Sequence, residues 1–415
     1  MSAVLERAER LLAGPPHGEG AESLAAHNAR LGPLPRAESD LIGVVERSGL
    51  LGRGGAGFPV GRKWRAVAER GAGRAVVVAN GAEGEPRSSK DRGVMAARPH
   101  LVLDGGLLAA AAVGADELIV YVGAEHRAAV AAMKRAIAER GSTKGLPIRL
   151  VEAPVAYVSG ESSAVVNYVN SGDARPTVSP PHPRDQGVAR RPTLVQNVES
   201  LAHVALIARN GDDWYRSAGH GPTSGTALVT VSGAVARPGV LEIEYGTTLA
   251  ELVAEAGGAT ADVQAVLLGG YFGGWATVAD LRDLPLDPAI LGERGLSFGC
   301  GLVGLLPVDS CGVWATARIL DYMAGESARQ CGPCIFGLGA IAETTRRLAA
   351  GRAIAGDLDN LARWARQIVG RGACHHPDGA AGLLSGAMSV FAAEFELHQD
   401  RRRCSRPPVA AREVQ

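Results

Sequence analysis

The sequence has few aromatic residues and no excess of charge. Phe, Trp and Tyr make up 4% of its 415 residues, and Lys plus Arg balance Asp plus Glu at 43 each. A nucleic-acid interface needs a basic stripe or a platform on which bases stack. We therefore expect no nucleic-acid partner.

Long apolar segments are also missing. The most apolar run, at 101–113, is too short and too rich in Gly and Ala to cross a bilayer. Residues 1–10 mix acids and bases and lack the apolar stretch of a signal peptide. We expect a cytoplasmic protein, in which six cysteines suit metal binding better than disulfides.

Local patterning divides the chain into five segments. Short apolar runs at 75–79 and 118–122 suit buried strands, and a third run follows later in the chain. Residues 125–140, between the second and the third run, have helical periodicity. This strand–helix–strand order predicts a parallel sheet with crossover helices. The predicted segments are an N-terminal extension (1–37), an α/β domain (38–225), a small β-grasp-like module (226–308), a helical region (309–400) and a basic tail (401–415).

A glycine-rich loop at 49–59 is the most informative stretch. Four of the six residues from Gly52 to Gly57 are glycine. Without Cβ atoms the backbone can approach a ligand closely, and free N–H groups at the start of a helix hold phosphate. Arg53 and Lys63 would add positive charge. The same composition is also typical of a flexible surface loop.

Polar residues directly follow the first predicted strand. Asn80, Glu83 and Glu85 lie at the carboxyl end of that strand, where α/β proteins bind ligands. An amide and two carboxylates can hydrogen-bond the hydroxyl groups of a ribose. The alternative interpretation is a solvated acidic turn.

Cysteines are concentrated in the predicted helical region. Cys331 and Cys334 form a Cys-x-x-Cys pair, and Cys374 follows later in the chain. The pair favours a metal or redox site, and a thioredoxin-like motif is less expected because no βαβ pattern surrounds it. The remaining cysteines, Cys300, Cys311 and Cys404, are interpreted as small buried hydrophobic residues.

Together these stretches resemble the flavoprotein subunit of bacterial and mitochondrial complex I, a family that includes the diaphorase subunits of soluble hydrogenases and formate dehydrogenases. The resemblance covers nearly the whole chain and includes Tyr-x-x-Gly-Glu at 157–161 and Pro-Thr-x-Val-x-Asn at 192–197. It implies an α/β fold class, with a Rossmann-like FMN-binding domain followed by a β-grasp (SLBB-type) domain and a C-terminal helical bundle. The cofactor-binding residues that it implies are Gly52, Gly54, Gly55, Gly57, Lys63, Asn80, Glu83, Glu85, Tyr157, Gly160, Glu161, Thr193 and Asn197.

Several positions depart from the family pattern. The family's Asp in the acidic turn is Ala82, and one flavin-contacting Asn is Gln196. On the nicotinamide side, the family's second Glu after the Gly-Glu turn is Ser162. The Lys and Phe of the family's Pro-rich loop are Ser179 and His182. The resemblance therefore implies a flavin cradle that is largely kept and nicotinamide contacts that are changed.

The family holds a 4Fe-4S cluster with three closely spaced cysteines and one distant cysteine, and thiolates suit this iron because they are soft and anionic. The first cysteine of the run is Ala328 here. Three outcomes are open: a replacement ligand such as Cys311, His375 or an exogenous group, a labile or three-iron cluster, or an empty site. The implied metal ligands that remain are Cys331, Cys334 and Cys374.

The resemblance implies an FMN-dependent NADH dehydrogenase subunit of the NADH:quinone type. In such a subunit the flavin takes a hydride from NADH, and electrons leave singly through an iron–sulfur cluster. The implied partners are a thioredoxin-like iron–sulfur subunit or a ferredoxin, with a peripheral place on the inner face of the membrane through a larger redox complex. Two alternatives stay open: a flavin relay that does not use NADH, and a non-catalytic assembly subunit.

Overall fold

The computed structural model of the protein describes residues 9–15, 20–141 and 145–400. The predicted tail at 401–415, with Cys404, lies outside them. The strands are β1 (Ala75–Gly81), β2 (Ala115–Gly123), β3 (Ile148–Ala153), β4 (Thr193–Asn197), β5 (Thr226–Gly233), β6 (Gly239–Glu244), β7 (Val263–Leu268), β8 (Gly274–Thr277) and β9 (Leu302–Pro307).

Helices pack on the first sheet, flank the second and form the C-terminal part of the described chain. They are α1 (Leu24–Leu31), α2 (Leu41–Ser48), α3 (Val60–Gly71), α4 (Lys90–Ala97), α5 (Pro99–Val113), α6 (Arg127–Arg140), α7 (Ser162–Ser171), α8 (Val198–Arg216), α9 (Leu249–Glu255), α10 (Val278–Leu281), α11 (Pro288–Glu293), α12 (Gly312–Gly325), α13 (Gly339–Ala349), α14 (Asp357–Ile368), α15 (His376–Val390) and α16 (Ala392–Gln399).

The first sheet is parallel, as predicted. Its four strands run in the order β3–β2–β1–β4. The side chains of Val76, Val77 and Val78 in β1 are fully buried, because helices cover both faces of a parallel sheet. Strands β1 and β4 are neighbours in register, with Asn80 opposite Asn197. The polar residues that end these two strands therefore lie side by side.

Helix α5 contains the most apolar run of the chain and packs against α8 in the core of this domain. Within the described residues no single helix is long and apolar enough to cross a membrane. Helices α15 and α16 reach the length and apolar composition of a membrane-spanning segment only when they are taken together, and a bend of 89° separates them.

The segment before residue 38 packs against the rest of the protein. The backbone N–H groups of Leu11 and Leu12 donate to one carboxylate oxygen of Glu242, at 2.8 and 3.0 Å. In α1, His27 is buried and its imidazole lies 2.9 Å from the carboxylate of Asp104 in α5. The described part of the predicted extension is thus fixed to the core at two places.

The second sheet is mixed, with strand order β6–β5–β9–β7–β8. Successive side chains of a strand point to opposite faces, and β7 shows this alternation. Ala265 and Leu267 join the core of the helical bundle, whereas Val266 and Leu268 join the core on the other face. One face of the β-grasp sheet is therefore packed on the C-terminal helices.

The C-terminal part is helical, as predicted. Helices α12 to α16 surround a shared apolar core that includes Leu338, Leu361 and Phe391. A single π-helical turn, Pro333–Leu338, connects the Cys-x-x-Cys pair to α13. Such turns are frequent at functional sites.

Candidate functional site

The glycine-rich loop lies between α2 and α3 and is closed at its base. The N–H group of Gly52 donates to the carbonyl of Phe58 at 2.9 Å. Gly55 and Gly57 have φ angles of +105° and +62°, which L-residues with side chains rarely adopt. Among the described residues, the backbone N–H groups of Gly54 and Gly55 have no hydrogen-bond partner. These free donors suit an anionic ligand.

Arg53 was predicted to add positive charge at this loop; its side chain is 4% exposed and extends toward the second sheet, beside the loop glycines. The guanidinium donates to the hydroxyl groups of Tyr215 and Tyr245 and to the carbonyl of Thr226. Its Nε atom also lies 3.5 Å from the carboxylate of Glu199. Arg53 therefore ties the loop to the β-grasp domain.

Asn80 and Asn197 stand together at the carboxyl ends of β1 and β4. The side-chain amide of Asn80 donates to the carbonyl of Gly160 at 2.9 Å. The side-chain oxygen of Asn197 accepts from the first turn of α8 and caps that helix, while its amide donates to Asp91 at 2.8 Å. A Cβ atom built on Gly54 would lie 3.6 Å from that of Asn197. The glycine loop thus packs directly over this pair.

Glu83 has a positive φ of 42° and turns its carboxylate onto the start of α4. One carboxylate oxygen accepts from the Ser88 hydroxyl at 2.7 Å and the Asp91 N–H at 3.0 Å. The other accepts from the Arg92 N–H at 3.0 Å. Because three donors hold the carboxylate, Glu83 is fixed in place below the acidic turn.

A buried ion network beneath the turn was not identified from the sequence. The Lys90 ammonium contacts Asp91 at 2.7 Å and Glu199 at 2.9 Å, and all three side chains are buried. Burial opposes its charge, but the two carboxylates raise the pKa of Lys90. The Lys-Asp-Arg sequence after the turn indicates that charged residues lie here, but it does not indicate that Lys90 pairs with Glu199 in α8.

Glu85 lies at the junction between the first domain and the β-grasp domain. One oxygen of its carboxyl group accepts from the Tyr271 N–H at 2.7 Å and the Tyr157 hydroxyl at 3.3 Å. Among the described residues, the other oxygen has no hydrogen-bond partner. Burial raises the pKa of Glu85 to about 7, although the Tyr271 N–H acts in the opposite direction. Tyr157 also stacks on Tyr271 at 6.2 Å between ring centroids.

Gly160 and Glu161 begin α7 on the other side of the site. A Cβ atom on Gly160 would lie 3.5 Å from Ala82, so the two turns are packed closely. One Glu161 carboxylate oxygen accepts from the N–H groups of Ser163 and Ala164, at 2.8 and 3.1 Å, and caps α7. Glu161 therefore both faces the site and stabilises the helix behind it.

Lys63 and Thr193 occupy the edge of the first sheet. The Lys63 ammonium donates to the carbonyl of Val195 in β4, and burial lowers the pKa of Lys63 to about 8. The hydroxyl of Thr193 donates to the carbonyl of Arg191 and accepts from the N–H of Val188. Thr193 thus holds the end of the Pro-rich loop in addition to lining the site.

Two cavities flank the glycine loop. The interdomain cavity, of about 430 Å³, is lined by Gly52, Gly55 and Gly57 and by the Phe298–Gly301 segment of the β-grasp domain. The Lys63 cavity, of about 350 Å³, is the second; its lining includes Lys63, Thr193, Val195, Glu161 and Cys374. The Pro-rich loop at 175–193 contributes six residues to the lining of this cavity, which are Thr177, Ser179, Pro181, His182, Pro183 and Arg184.

The three remaining cluster cysteines lie together where the bundle meets the Lys63 cavity. Each sulfur accepts a backbone N–H: Cys331 from Ala373 and Cys334, Cys334 from Arg329, and Cys374 from His376. Partial burial opposes the effect, but the two N–H groups lower the pKa of Cys331. Burial raises the pKa of Cys374 and, together with the neighbouring Cys331 thiol, raises the pKa of Cys334 to about 12. The backbone donors act in the opposite direction at all three sulfurs, and three thiols brought together in this way fit an iron–sulfur cluster.

The thiols are not arranged for a single ion. In the described part of the chain no group of three or more His, Cys, Asp or Glu side chains could hold one metal ion. A cluster does not require convergence on one point, because a different cysteine binds each iron. The two histidines after Cys374 differ: His375 is exposed, whereas the imidazole of the buried His376 lies 2.7 Å from the Met323 carbonyl.

The carboxyl edge of the first sheet also fits a flavin phosphate and ribityl chain. Its donors and acceptors come from the free loop N–H groups and from Asn80, Glu83 and Asn197, at the edge where ligands of parallel sheets bind. The fold and this site define a class of electron-transfer flavoprotein subunit, in which one chain carries both a flavin site at a sheet edge and a group of cysteines for an iron–sulfur cluster.

Comparisons with known proteins agree with this class. Three protein-family models match successive parts of the chain. They are the Nuo51 FMN-binding domain at 45–206, the SLBB domain at 228–270 and the NADH-ubiquinone oxidoreductase-F iron–sulfur binding region at 314–398. The chain is 34% identical over 379 residues to the F 2 subunit of NADH-quinone oxidoreductase from Rhizobium meliloti (strain 1021), covering 88% of this chain and 90% of that protein.

Two further matches extend the family. The HndC subunit of NADP-reducing hydrogenase from Solidesulfovibrio fructosivorans is 31% identical, over 89% of this chain and 78% of that one. A crystal structure of NAD+-reducing NiFe hydrogenase in the H2-reduced state contains a chain with a TM-score of 0.79 and 29% identity, covering 94% of this chain and 68% of that one. This chain belongs to the family of FMN-binding subunits that includes the F subunit of NADH-quinone oxidoreductase and related hydrogenase subunits.

Proposed function

We propose that this chain is the electron-entry subunit of a redox assembly: it binds FMN, oxidises NADH and passes electrons to an iron–sulfur cluster. One observation carries the proposal. The lining of the Lys63 cavity includes Lys63 and Val195, beside the first sheet, and also Cys374. In this proposal the cavity takes part of a nucleotide, so that the nucleotide and a cluster ligand lie close together, as electron entry requires.

The side chains bind and orient the cofactor in this proposal. Asn80, Glu83 and Asn197 hold the sugar chain of the flavin, and the N–H groups of Gly54 and Gly55 face its phosphate. The flavin, when bound, supplies the chemistry that turns a two-electron hydride donor into one-electron transfers. No side chain of this chain acts as a covalent nucleophile.

Glu85 and Tyr157 are proposed to position the nicotinamide. The buried Glu85 carboxyl has one oxygen without a partner in the described residues, which leaves an acceptor or donor for a substrate amide. The aromatic surface beside it, formed by Tyr157, Tyr271 and Phe272, excludes water from this side of the site.

For the cluster we propose three protein ligands, Cys331, Cys334 and Cys374, with a non-cysteine ligand at the fourth iron. Ala328 occupies the position of the missing thiol. Beside it lies a cavity of about 540 Å³, lined by Ser327, Arg329 and Cys334. The buried Ser327 hydroxyl has no partner among the described residues. This space accommodates water or a small exogenous ligand at the open iron.

A second candidate function is a flavin relay that does not use NADH. It is favoured by Ser162, Ser179 and His182, which line the Lys63 cavity where the family resemblance implies a Glu, a Lys and a Phe. The Ser179 hydroxyl and the His182 imidazole lie 2.7 Å apart, so these two residues are engaged with each other.

The relatives are named as subunits of NADH-quinone oxidoreductase and hydrogenases, so we propose that this chain also works in an assembly. The proposed partner is a thioredoxin-like iron–sulfur subunit or a ferredoxin, and the proposed place is the cytoplasmic face of a membrane complex. Ile335 and Phe336, directly after Cys334, are 50% and 75% exposed and are the proposed contact for that partner.

The proposal is tested by anaerobic purification followed by absorption spectra before and after NADH, with flavin and iron measured on the same sample. We expect one flavin per chain that bleaches with NADH, together with iron and sulfide in cluster proportions. Flavin that NADH does not bleach but reduced ferredoxin does would support the relay. Absence of both flavin and iron would support a non-catalytic subunit.

A further inference from the structure

The Lys63 cavity carries more positive than negative charge. Its lining contains three basic side chains, Arg62, Lys63 and Arg184, against one carboxylate, Glu161. The lining histidines, His182 and His375, would add positive charge on protonation. A cavity of about 350 Å³ is within the size range of ligand sites. Its charge favours an anion that carries more than one negative charge.

The single carboxylate is partly engaged. One Glu161 oxygen accepts from the N–H groups of Ser163 and Ala164 and from the Ser163 hydroxyl, so one of its two oxygens is committed to the start of α7. The next residue, Ser162, carries no charge.

The cations differ in how far they are engaged. Lys63 donates to the Val195 carbonyl, and the Arg184 Nε atom lies 3.8 Å from Asp185, which also accepts from Arg70 at 2.7 Å. Within the described residues Arg62 makes no hydrogen bond or ion pair; it is exposed, lines the cavity and interacts electrostatically with Glu46. A free guanidinium suits phosphate because it can donate two parallel hydrogen bonds.

Phe58 supplies an apolar surface to the same cavity. It is 52% exposed, although it lies beside the ordered glycine loop. An exposed ring next to basic side chains matches an aromatic base joined to phosphate groups. The cavity therefore has the features of a site for a phosphorylated adenosine.

Dinucleotide sites distinguish their two ligands by charge at the ribose. A carboxylate accepts from the free 2′-hydroxyl of NAD, whereas an arginine accommodates the 2′-phosphate of NADP. Here the lining has one carboxylate, Glu161, with one oxygen engaged at the start of α7, Ser162 adds no second carboxylate, and Arg62 lines the cavity without a hydrogen bond or ion pair among the described residues. We infer that the Lys63 cavity binds the 2′-phosphorylated adenosine of NADPH, which makes NADPH the preferred hydride donor. This inference rests on the proposed function, since it specifies the nucleotide used at that site.

The test measures flavin reduction of the purified holoprotein by NADPH and by NADH, with stopped-flow absorbance and kcat/KM for each. We expect wild type to prefer NADPH. Ser162→Glu should lower the NADPH:NADH ratio of kcat/KM by at least about tenfold, because it restores a carboxylate against the 2′-phosphate. The change suits the first turn of α7, where acidic residues are favourable, so folding is preserved.

Arg62→Leu should lower kcat/KM for NADPH more than kcat/KM for NADH and should therefore lower the same ratio. The matched control is Arg65→Leu on the same helix, since Arg65 is exposed, pairs with Glu46 and does not line the cavity. The ratio should not change in this control. A binding measurement with adenosine 2′,5′-bisphosphate and adenosine 5′-monophosphate gives a readout apart from activity, with tighter binding of the bisphosphate expected.

The outcomes separate the inference from the proposed function. Reduction by NADH with little or no reduction by NADPH would overturn the 2′-phosphate site and leave the proposed function standing. A ratio that does not change in Ser162→Glu and Arg62→Leu, or equal binding of the two adenosine phosphates, would also overturn it. No flavin reduction by either nucleotide would overturn both.

Discussion

From the environment of the buried Glu85 carboxyl group we predict how the free energy of unfolding depends on pH. Burial raises its pKa from an ordinary value of 4.5 to about 7 in the folded protein. In Glu85→Gln the amide oxygen can accept from the Tyr271 N–H and the Tyr157 hydroxyl as Glu85 does. The amide nitrogen then replaces the carboxyl oxygen that lacks a partner in the described residues.

The direction of this pH dependence follows from the pH at which the Glu85 carboxyl group loses its proton in the folded and in the unfolded protein. Below pH 4.5 the carboxyl group is protonated in both states. As pH rises to about 7, the unfolded chain releases its proton while the folded chain keeps it, so the free energy of unfolding of wild type falls. A pKa difference of this size corresponds to about 3 kcal/mol. Glutamine does not titrate, so Glu85→Gln should gain up to about 3 kcal/mol over wild type at pH 8 and almost nothing at pH 4.5.

The assay is urea unfolding followed by circular dichroism at several pH values, with the difference between variant and wild type plotted against pH. Taking the difference removes the contributions of other titrating groups. Glu293→Gln, at an exposed position, is the control and should show no such rise. A variant that is equally stable or less stable than wild type at pH 8 would refute the environment assigned to Glu85.

Further variants test the other parts of the site. Asn197→Ala should destabilise the protein by about 2–4 kcal/mol in urea unfolding, since it removes a helix cap worth about 1 kcal/mol and leaves Asp91 without its amide donor at about 1–3 kcal/mol. Asn197→Ser keeps a helix cap and should lose only the hydrogen bond to Asp91. Gly55→Val should weaken FMN binding at least several-fold in a fluorescence titration, because a φ of +105° strains a β-branched residue, and unchanged affinity would contradict the loop geometry. Ala328→Cys should raise the stability of the cluster to oxidation and remove any three-iron EPR signal, and identical spectra would contradict the open fourth position.

Much of the architecture could be predicted from local patterns. The valine-rich run at 75–79 and the run at 118–122 proved to be neighbouring parallel strands, because continuous apolar runs mark strands that are buried on both faces. Thr248 starts a short helix through a capping box with Glu251, a feature that depends only on residues close together in the sequence. The site residues that end strands β1 and β4 could be placed because strand ends and ligand edges coincide in parallel sheets.

The parts that could not be predicted depend on contacts between distant segments. Arg53 was expected at a phosphate, but two tyrosines from later in the chain hold its guanidinium. Glu85 was expected near a nucleotide, but no local pattern indicates that Tyr271 buries it under the β-grasp domain. The ion network of Lys90 joins residues more than one hundred positions apart. Local sequence carries no information about such pairings. The proposed domain boundaries and the individual cofactor contacts remain predictions.

The most direct test of the central claim is whether electrons from the nicotinamide nucleotide reach the cysteines through the flavin. The holoprotein is mixed anaerobically with one equivalent of the better nucleotide, and flavin absorbance and cluster EPR are recorded on the same sample. We predict that wild type divides the electrons between flavin and cluster, whereas in Cys334→Ser they stay on the flavin. Flavin bleaching that is the same in both proteins, with no cluster signal in wild type, would contradict the account.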